Sequence, residues 1–116
     1  MSTKKTDYLS DDYWSKLINQ SLIRFFILRA LKDEDMHGYK LIRAIRKMSN
    51  DYVSPAESTL YPALNQMQAG ELIQQTNPSA KERKVYRLTD KGKQAFKIAA
   101  KNWNMILPAL LRKTIL

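Results

Sequence analysis

The chain has 116 residues, enough for one domain, and 20 Lys and Arg against 11 Asp and Glu leave a formal charge of +9. It has no Cys and one His, His37, with no helix-spaced carboxylate pair beside it, which excludes disulfide scaffolds, thiolate metal sites and cysteine nucleophiles and leaves little for a hydrolytic or redox centre. The N-terminus is polar and no apolar run approaches the roughly 20 residues of a bilayer span, so a cytoplasmic protein with no metal, cofactor or membrane contact is expected.

Residues 1–10 read as a disordered tail. Trp14, Leu17, Ile18, Leu22, Phe25, Ile27, Leu28 and Leu31 then recur mostly at helical spacing behind Asp11 or Asp12, which predicts a helix over about 12–31. Lys32 to Met36 reads as charged linker. Tyr39, Leu41, Ile42, Ile45 and Met48 predict a second, shorter helix that ends at the Ser49-Asn50-Asp51 turn signal. Leu60, Leu64 and Met67 share one face of a third helix, over about 55–69, with Gly70 as its stop. Its start carries conflicting signals. Ser54-Pro55-Ala56-Glu57 reads as a capping box with Pro at the first helical position, whereas Pro62 fits best within a first turn. The reading adopted begins the helix near Ser54 or Ala56 and leaves Pro62 on its exposed face.

Leu72 to Asn77 and Lys84 to Thr89 have strand composition and enclose the turn-forming Pro78 to Arg83, which predicts a β-hairpin. Thr89-Asp90 caps a long fourth helix with Ala95, Phe96, Ala99, Trp103, Ile106, Leu107, Leu110 and Leu111 as its apolar set, and Pro108 should bend or weaken its last turns. The expected fold is therefore mainly α with a small β-hairpin. Residues 11–89 form a winged helix-turn-helix DNA-binding domain and residues 90–116 a C-terminal dimerisation helix.

The charge is segmented along the chain. Residues 1–35 are neutral, 36–50 carry +4 through Lys40, Arg43, Arg46 and Lys47, and 51–78 carry −3 with no basic group. Residues 79–101 then carry +6, partly through Lys81, Arg83, Lys84 and Arg87 on the hairpin. A charge run is usually a solvated face. Two basic clusters around a basic-free helix fit a polyanion gripped at both flanks and read between them.

On the third helix, Ser58, Pro62 and Asn65 fall opposite the apolar stripe, with Thr59, Tyr61 and Gln66 on the flanks. None is Lys or Arg, so bidentate Arg to guanine is absent from this helix. Asn and Gln suit adenine edges, and Thr59, Ala56 and Tyr61 offer carbons to the thymine methyl. Half-sites rich in A·T are expected. The bland reading makes Ser58, Thr59 and Asn65 ordinary solvated residues.

Four blocks carry a resemblance: His37-Gly38-Tyr39-Lys40-Leu41, Ser58-Thr59-Leu60-Tyr61-Pro62-Ala63-Leu64, Gly70-Glu71-Leu72-Ile73, and Arg83-Lys84-Val85-Tyr86-Arg87-Leu88-Thr89-Asp90-Lys91-Gly92. In order and spacing they resemble the PadR family of bacterial transcriptional regulators, over about residues 20–107. The resemblance implies a homodimeric winged-helix repressor on an inverted-repeat DNA operator, often responsive to a small aromatic molecule. It places Thr59 and Tyr61 on the DNA, Tyr39 near a phosphate, and Arg83 and Lys84 on the wing. The short C-terminal region looks like the compact branch of the family. Ala56-Glu57 departs from relatives with Ser or Asn at the helix start, and Glu57 would repel phosphate unless it accepts from a cytosine or caps.

The fourth helix is the expected dimer contact, through Phe96, Ala99, Trp103, Ile106, Leu107 and Leu110, with Leu17 and neighbours of the first helix completing it. Its stripe is also readable as intramolecular core. Trp103 resembles a tryptophan that, paired across the dimer axis in multidrug-sensing relatives, sandwiches a planar compound; Met105 and Trp14 join it as effector candidates. A plug in the dimer core is the competing reading for Trp103. For the whole protein the alternative is a basic winged-helix protein-interaction module without specific DNA readout. An enzyme finds no catalytic constellation here. His37 reads as a surface or capping residue before a sensor.

Overall fold

Ser10 starts the first helix by accepting the Tyr13 amide on its hydroxyl at 3.4 Å, and helix α1 runs over Asp11–Asp33. The computed structural model describes residues 5–78 and 83–112. Of the expected tail, residues 5–10 are described, and the Trp14 indole donates to the Tyr8 carbonyl at 2.8 Å. The remaining elements are β1 (Met36–His37), α2 (Gly38–Met48), α3 (Glu57–Ala69), β2 (Ile73–Gln75), β3 (Val85–Leu88) and α4 (Asp90–Leu111).

The core lies where α1, α2, α3 and the sheet meet. It holds Ile23, Ile27, Leu28 and Leu31 of α1, Leu41 and Ile45 of α2, and Leu60, Leu64 and Met67 of α3, with Ile73, Tyr86 and Leu88 from the strands. The first fully buried residue of α1 is Ile23. Trp14, Leu17 and Ile18 lie on a stretch of helix beyond this core and are 44–49% exposed.

The expected hairpin is a three-stranded antiparallel sheet in the order β1-β3-β2. Met36 pairs with Tyr86 and His37 with Val85, so the end of the expected linker is a strand. Met36 is buried and His37 half-buried. A strand of two residues is too short for alternation to show in sequence. On the other side Ile73 pairs with Leu88 and Gln75 with Tyr86. Asn77 closes the wing from within, accepting the Val85 amide at 2.9 Å and donating to the Arg83 carbonyl at 2.7 Å. Lys81, expected at the wing tip, lies outside the described residues.

Helix α3 begins between the two sequence signals, later than the capping box and earlier than a start that would put Pro62 in the first turn, and at the Ala56 end of the reading adopted. Ala56 is its N-cap, no side chain caps it, and Ser54 and Pro55 precede it. Burial of Val53 pins the preceding loop, and the Thr59 and Leu60 amides both reach the Ala56 carbonyl, at 3.0 and 2.9 Å. Pro62 sits exposed inside the helix, as expected. Gly70 is the C-cap, but with φ −81° it uses none of its conformational freedom. Glu71 takes the left-handed turn instead, at φ 64°. Its amide bonds Gln68 at 3.0 Å and that of Leu72 bonds Met67 at 2.9 Å, the paired bonds of a Schellman ending. Helix α2 ends the same way through Asn50, φ 51°, with Asp51 bonding back to Arg46 at 2.8 Å.

Thr89 joins the wing to α4. Its hydroxyl oxygen accepts the Gly92 amide at 3.0 Å and lies 2.6 Å from the Glu71 carbonyl, to which it donates. Helix α4 continues through Pro108 to Leu111, where Pro108 was expected to bend or weaken it. Among its described residues only Gly92 is buried.

Candidate nucleic-acid interface

His37 places the first functional surface. Its Nδ1 accepts the Lys40 amide at 3.2 Å, which caps α2 and sets Gly38 at the helix start. Tyr61 of α3 lies over Gly38, whose missing side chain leaves room for the phenol. Around this contact runs a groove of about 600 Å³. Helix α2 and its cap contribute His37, Tyr39 and Arg43; α3 contributes Tyr61 and Asn65; the wing contributes Arg83, Lys84 and Tyr86.

The cations divide into two groups. Lys40 pairs with Glu34 at 2.8 Å, Arg46 with Asp51 at 3.4 Å and Arg87 with Asp35 at 3.2 Å. Arg43, Arg83 and Lys84, which line the groove, form no ion pair among the described residues. Lys40 was expected to face DNA directly. Its pair with Glu34 is solvent-exposed and so weak enough to exchange for another anion. Tyr86 sits 2% exposed behind the groove, and burial first, then neighbouring Tyr61, pushes its phenol above the ordinary value.

The groove gathers Tyr39, Tyr61, Asn65, Arg83 and Lys84 from the expected set, and it leaves others out. Thr59 lies on the opposite flank of α3, beside Gln20 and Ile23 of α1. Ser58 is exposed and lines neither surface. Gln66 is held by the Arg24 guanidinium of α1, so its amide is engaged within the chain. Three groove residues escaped the sequence reading. Arg43 was one basic residue among four, His37 read as a surface or capping residue before a sensor, and Tyr86 was one residue in a segment of strand composition.

A second surface lies between α1 and α4. Phe25 stacks on Phe96 at 5.4 Å between centroids, and Trp103 meets Phe25 edge-on at 6.4 Å. Phe96, expected at a dimer contact, is thus engaged within the chain, with the Lys32 ammonium 5.6 Å from its ring centre. Beside these rings runs an apolar groove of about 610 Å³ that includes Ile18, Phe26, Trp103, Leu107 and Leu110. Trp14 and Met105 do not line it, and Met105 is 70% exposed. Ala99 is half-buried, while Leu17, Ile106, Leu107 and Leu110 are exposed. Phe25, one of the apolar positions that recur along the first helix, is part of this surface together with Phe26. Among the described residues there is no cluster of metal-ligating side chains and no helix long and apolar enough to cross a membrane.

The Transcriptional regulator PadR-like family matches residues 27–98, which contain α2, α3, the sheet and the start of α4. The chain belongs to this family. It is 32% identical over 72 residues to the transcriptional regulator YqjI of Escherichia coli, a match that covers 62% of this chain and 34% of that protein. The chain therefore spans about a third of that relative's length. Among solved structures, a PadR family transcription regulator from Clostridium difficile is 29% identical with a TM-score of 0.65, covering 77% of this chain and 94% of that one. A PadR-like regulator from Bacillus cereus is 26% identical with a TM-score of 0.70, over 81% of this chain and 92% of that one. A regulator from Clostridium thermocellum, 22% identical with a TM-score of 0.74 over 84% of this chain and 97% of that one, shares the fold. The architecture is the winged helix of PadR-like regulators, mainly helical, with a small antiparallel sheet and a long C-terminal helix.

Proposed function

We propose that this PadR-like chain is a cytoplasmic, sequence-specific DNA-binding regulator that acts as a homodimeric repressor. Residues 11–89 grip an inverted-repeat operator with A·T-rich half-sites, and residues 90–116 pair two copies. The observation that carries the reading is the groove beside α3, where Arg43 on one side and Arg83 and Lys84 on the other have no counter-ion among the described residues. Polyanion binding supplies the missing negative charge. The exposed Ser58, Thr59 and Asn65 on α3 are then free to meet base edges.

Repression follows from excluding polymerase, and release from a ligand that favours a different separation of the two reading helices. The apolar groove that contains Trp103 suits a small planar aromatic effector. A footprint on DNA upstream of the protein's own gene tests the whole reading, because a protected dyad gives half-site sequence and spacing together. With three or four phosphate contacts per subunit, affinity falls about a thousandfold or more between roughly 50 and 200 mM salt. Equal binding to random and upstream DNA, with a log–log salt slope near zero, returns the protein to an interaction module.

A further inference from the structure

The groove between α2, α3 and the wing differs chemically from a surface that reads bases. Its lining holds no carboxylate, and almost every polar group in it offers a proton. Arg43, Arg83 and Lys84 are donors only. His37 has its Nδ1 occupied by the Lys40 amide, so Nε2 is the ring nitrogen left to donate. Tyr61 and Tyr86 make no side-chain hydrogen bond among the described residues, and the raised pKa of Tyr86 keeps its phenol protonated. Base edges in the major groove alternate donors with acceptors, and reading adenine or cytosine amino groups requires acceptors. Asn65 is the one amide in this lining.

Geometry separates Tyr61 from Thr59. Tyr61 leans over Gly38 toward α2 and the wing, whereas Thr59 sits on the α1 side of the same helix. We propose that this groove seats a backbone phosphate of the DNA, held between Arg43 and the wing cations, and that Tyr61 is a phosphate-positioning residue rather than a base reader. This rests on the DNA-binding reading above and narrows it. Sequence discrimination then falls to Ser58, Thr59, Pro62 and Asn65, and Tyr61 fixes the register in which they approach the bases.

The test uses the full chain on a duplex obtained by selection and on a scrambled one. Arg43→Gln, an exposed substitution, lowers affinity by the same factor on both and reduces the salt slope by about 0.9 per half-site, the share of one phosphate, and so by about 1.8 for the dimer. Tyr61→Phe keeps the ring over Gly38 and removes only the hydroxyl; it costs about tenfold or more per half-site on both duplexes, the worth of a hydrogen bond to a charged acceptor. A scan of single methylphosphonate linkages then finds one position per half-site where wild type is weakened and Arg43→Gln costs nothing more. If either variant re-ranks half-site sequences, or if no linkage absorbs the Arg43 effect, the phosphate seat is wrong while DNA binding stands. If wild type ignores sequence and salt alike, the DNA-binding reading fails first and this proposal falls with it.

Discussion

The Tyr61 hydroxyl occupies the space in which a Gly38 side chain would stand: a Cβ built on Gly38 lies 2.5 Å from Tyr61 Oη and 2.9 Å from Cζ. One residue opens α2 and the other projects from α3, so this contact fixes how the two helices of the reading unit meet. Gly38→Ala forces the exposed tip of the ring aside and costs about 1 kcal/mol, the low end of overpacking, because a side-chain tip can move. In a Tyr61→Ala background the same substitution costs little, because the obstructing atoms are gone. Urea unfolding of the four proteins checks the coupling; additive losses would mean that the two residues are not in contact.

Gly92 and Gly70 predict opposite outcomes for the same change. A Cβ on Gly92 collides with the Leu72 backbone carbonyl and lies 2.6 Å from Leu88 Cδ1, and backbone cannot step aside as a side-chain tip does. Gly92→Ala therefore loses about 3 kcal/mol, at the upper end of overpacking penalties. At Gly70 the nearest atom is the Gln66 carbonyl at 3.5 Å, an ordinary contact, and Gly70→Ala stays within about 0.5 kcal/mol of wild type. Thermal melts of the two variants side by side decide this.

These glycines show what the sequence discloses. Leu60, Leu64 and Met67 announce α3 because one stripe of that helix is buried, and Thr89-Asp90 announces α4 because the cap is local. Tyr39, Tyr61, Asn65, Arg83 and Lys84 were legible as one surface since helical spacing and a hairpin bring them together. Relations between distant residues were not. The pairing of Arg87 with Asp35, 52 positions away, leaves no local pattern, so charge counting could not separate compensated from uncompensated cations. Nor does spacing reveal that β1 completes the sheet, or that Gln66 is held by Arg24.

Glu71 stands in a conformation that L-residues adopt at a cost, φ 64°, in the position after a C-cap where glycine is usual. Glu71→Gly removes that cost of about 1–2 kcal/mol but frees the unfolded chain by somewhat less than 1 kcal/mol. A net gain of up to about 1 kcal/mol is expected, read from the denaturation midpoint. Loss of stability would mean that the Glu71 side chain contributes something its exposure conceals.

Alkaline pH should expose the burial of Tyr86. Its phenol ionises above the ordinary 10.0 in the folded protein, through burial first and Tyr61 second. As pH rises past about 10 the unfolded chain releases this proton before the folded one does, so the unfolded state binds fewer protons and stability falls with pH. The contribution is complete below pH 10 and is lost as pH climbs through the folded value. Tyr86→Phe lacks this fall. Comparing the pH slopes of wild type and variant from about pH 8 to 11 cancels the lysines common to both, and parallel slopes would contradict the assignment.

The exposed face of α4 bears on the proposed dimer. Ile106 is 46% exposed, so Ile106→Glu removes little from the core of a single chain and should leave its unfolding midpoint almost unchanged. If this face pairs two copies, the same carboxylate must be buried without a partner, a cost of several kcal/mol that a small interface cannot absorb. The expected result is a halved sedimentation mass. Affinity for a two-half-site duplex should drop far more than affinity for a single half-site, because linkage between the reading heads is lost. Lys101→Glu, a larger change of charge at another exposed position of α4, separates interface burial from general electrostatics by leaving the dimer intact. An Ile106→Glu protein that remains dimeric would move the contact off this part of the helix, most directly onto Trp14 and Leu17 of α1, which are equally exposed.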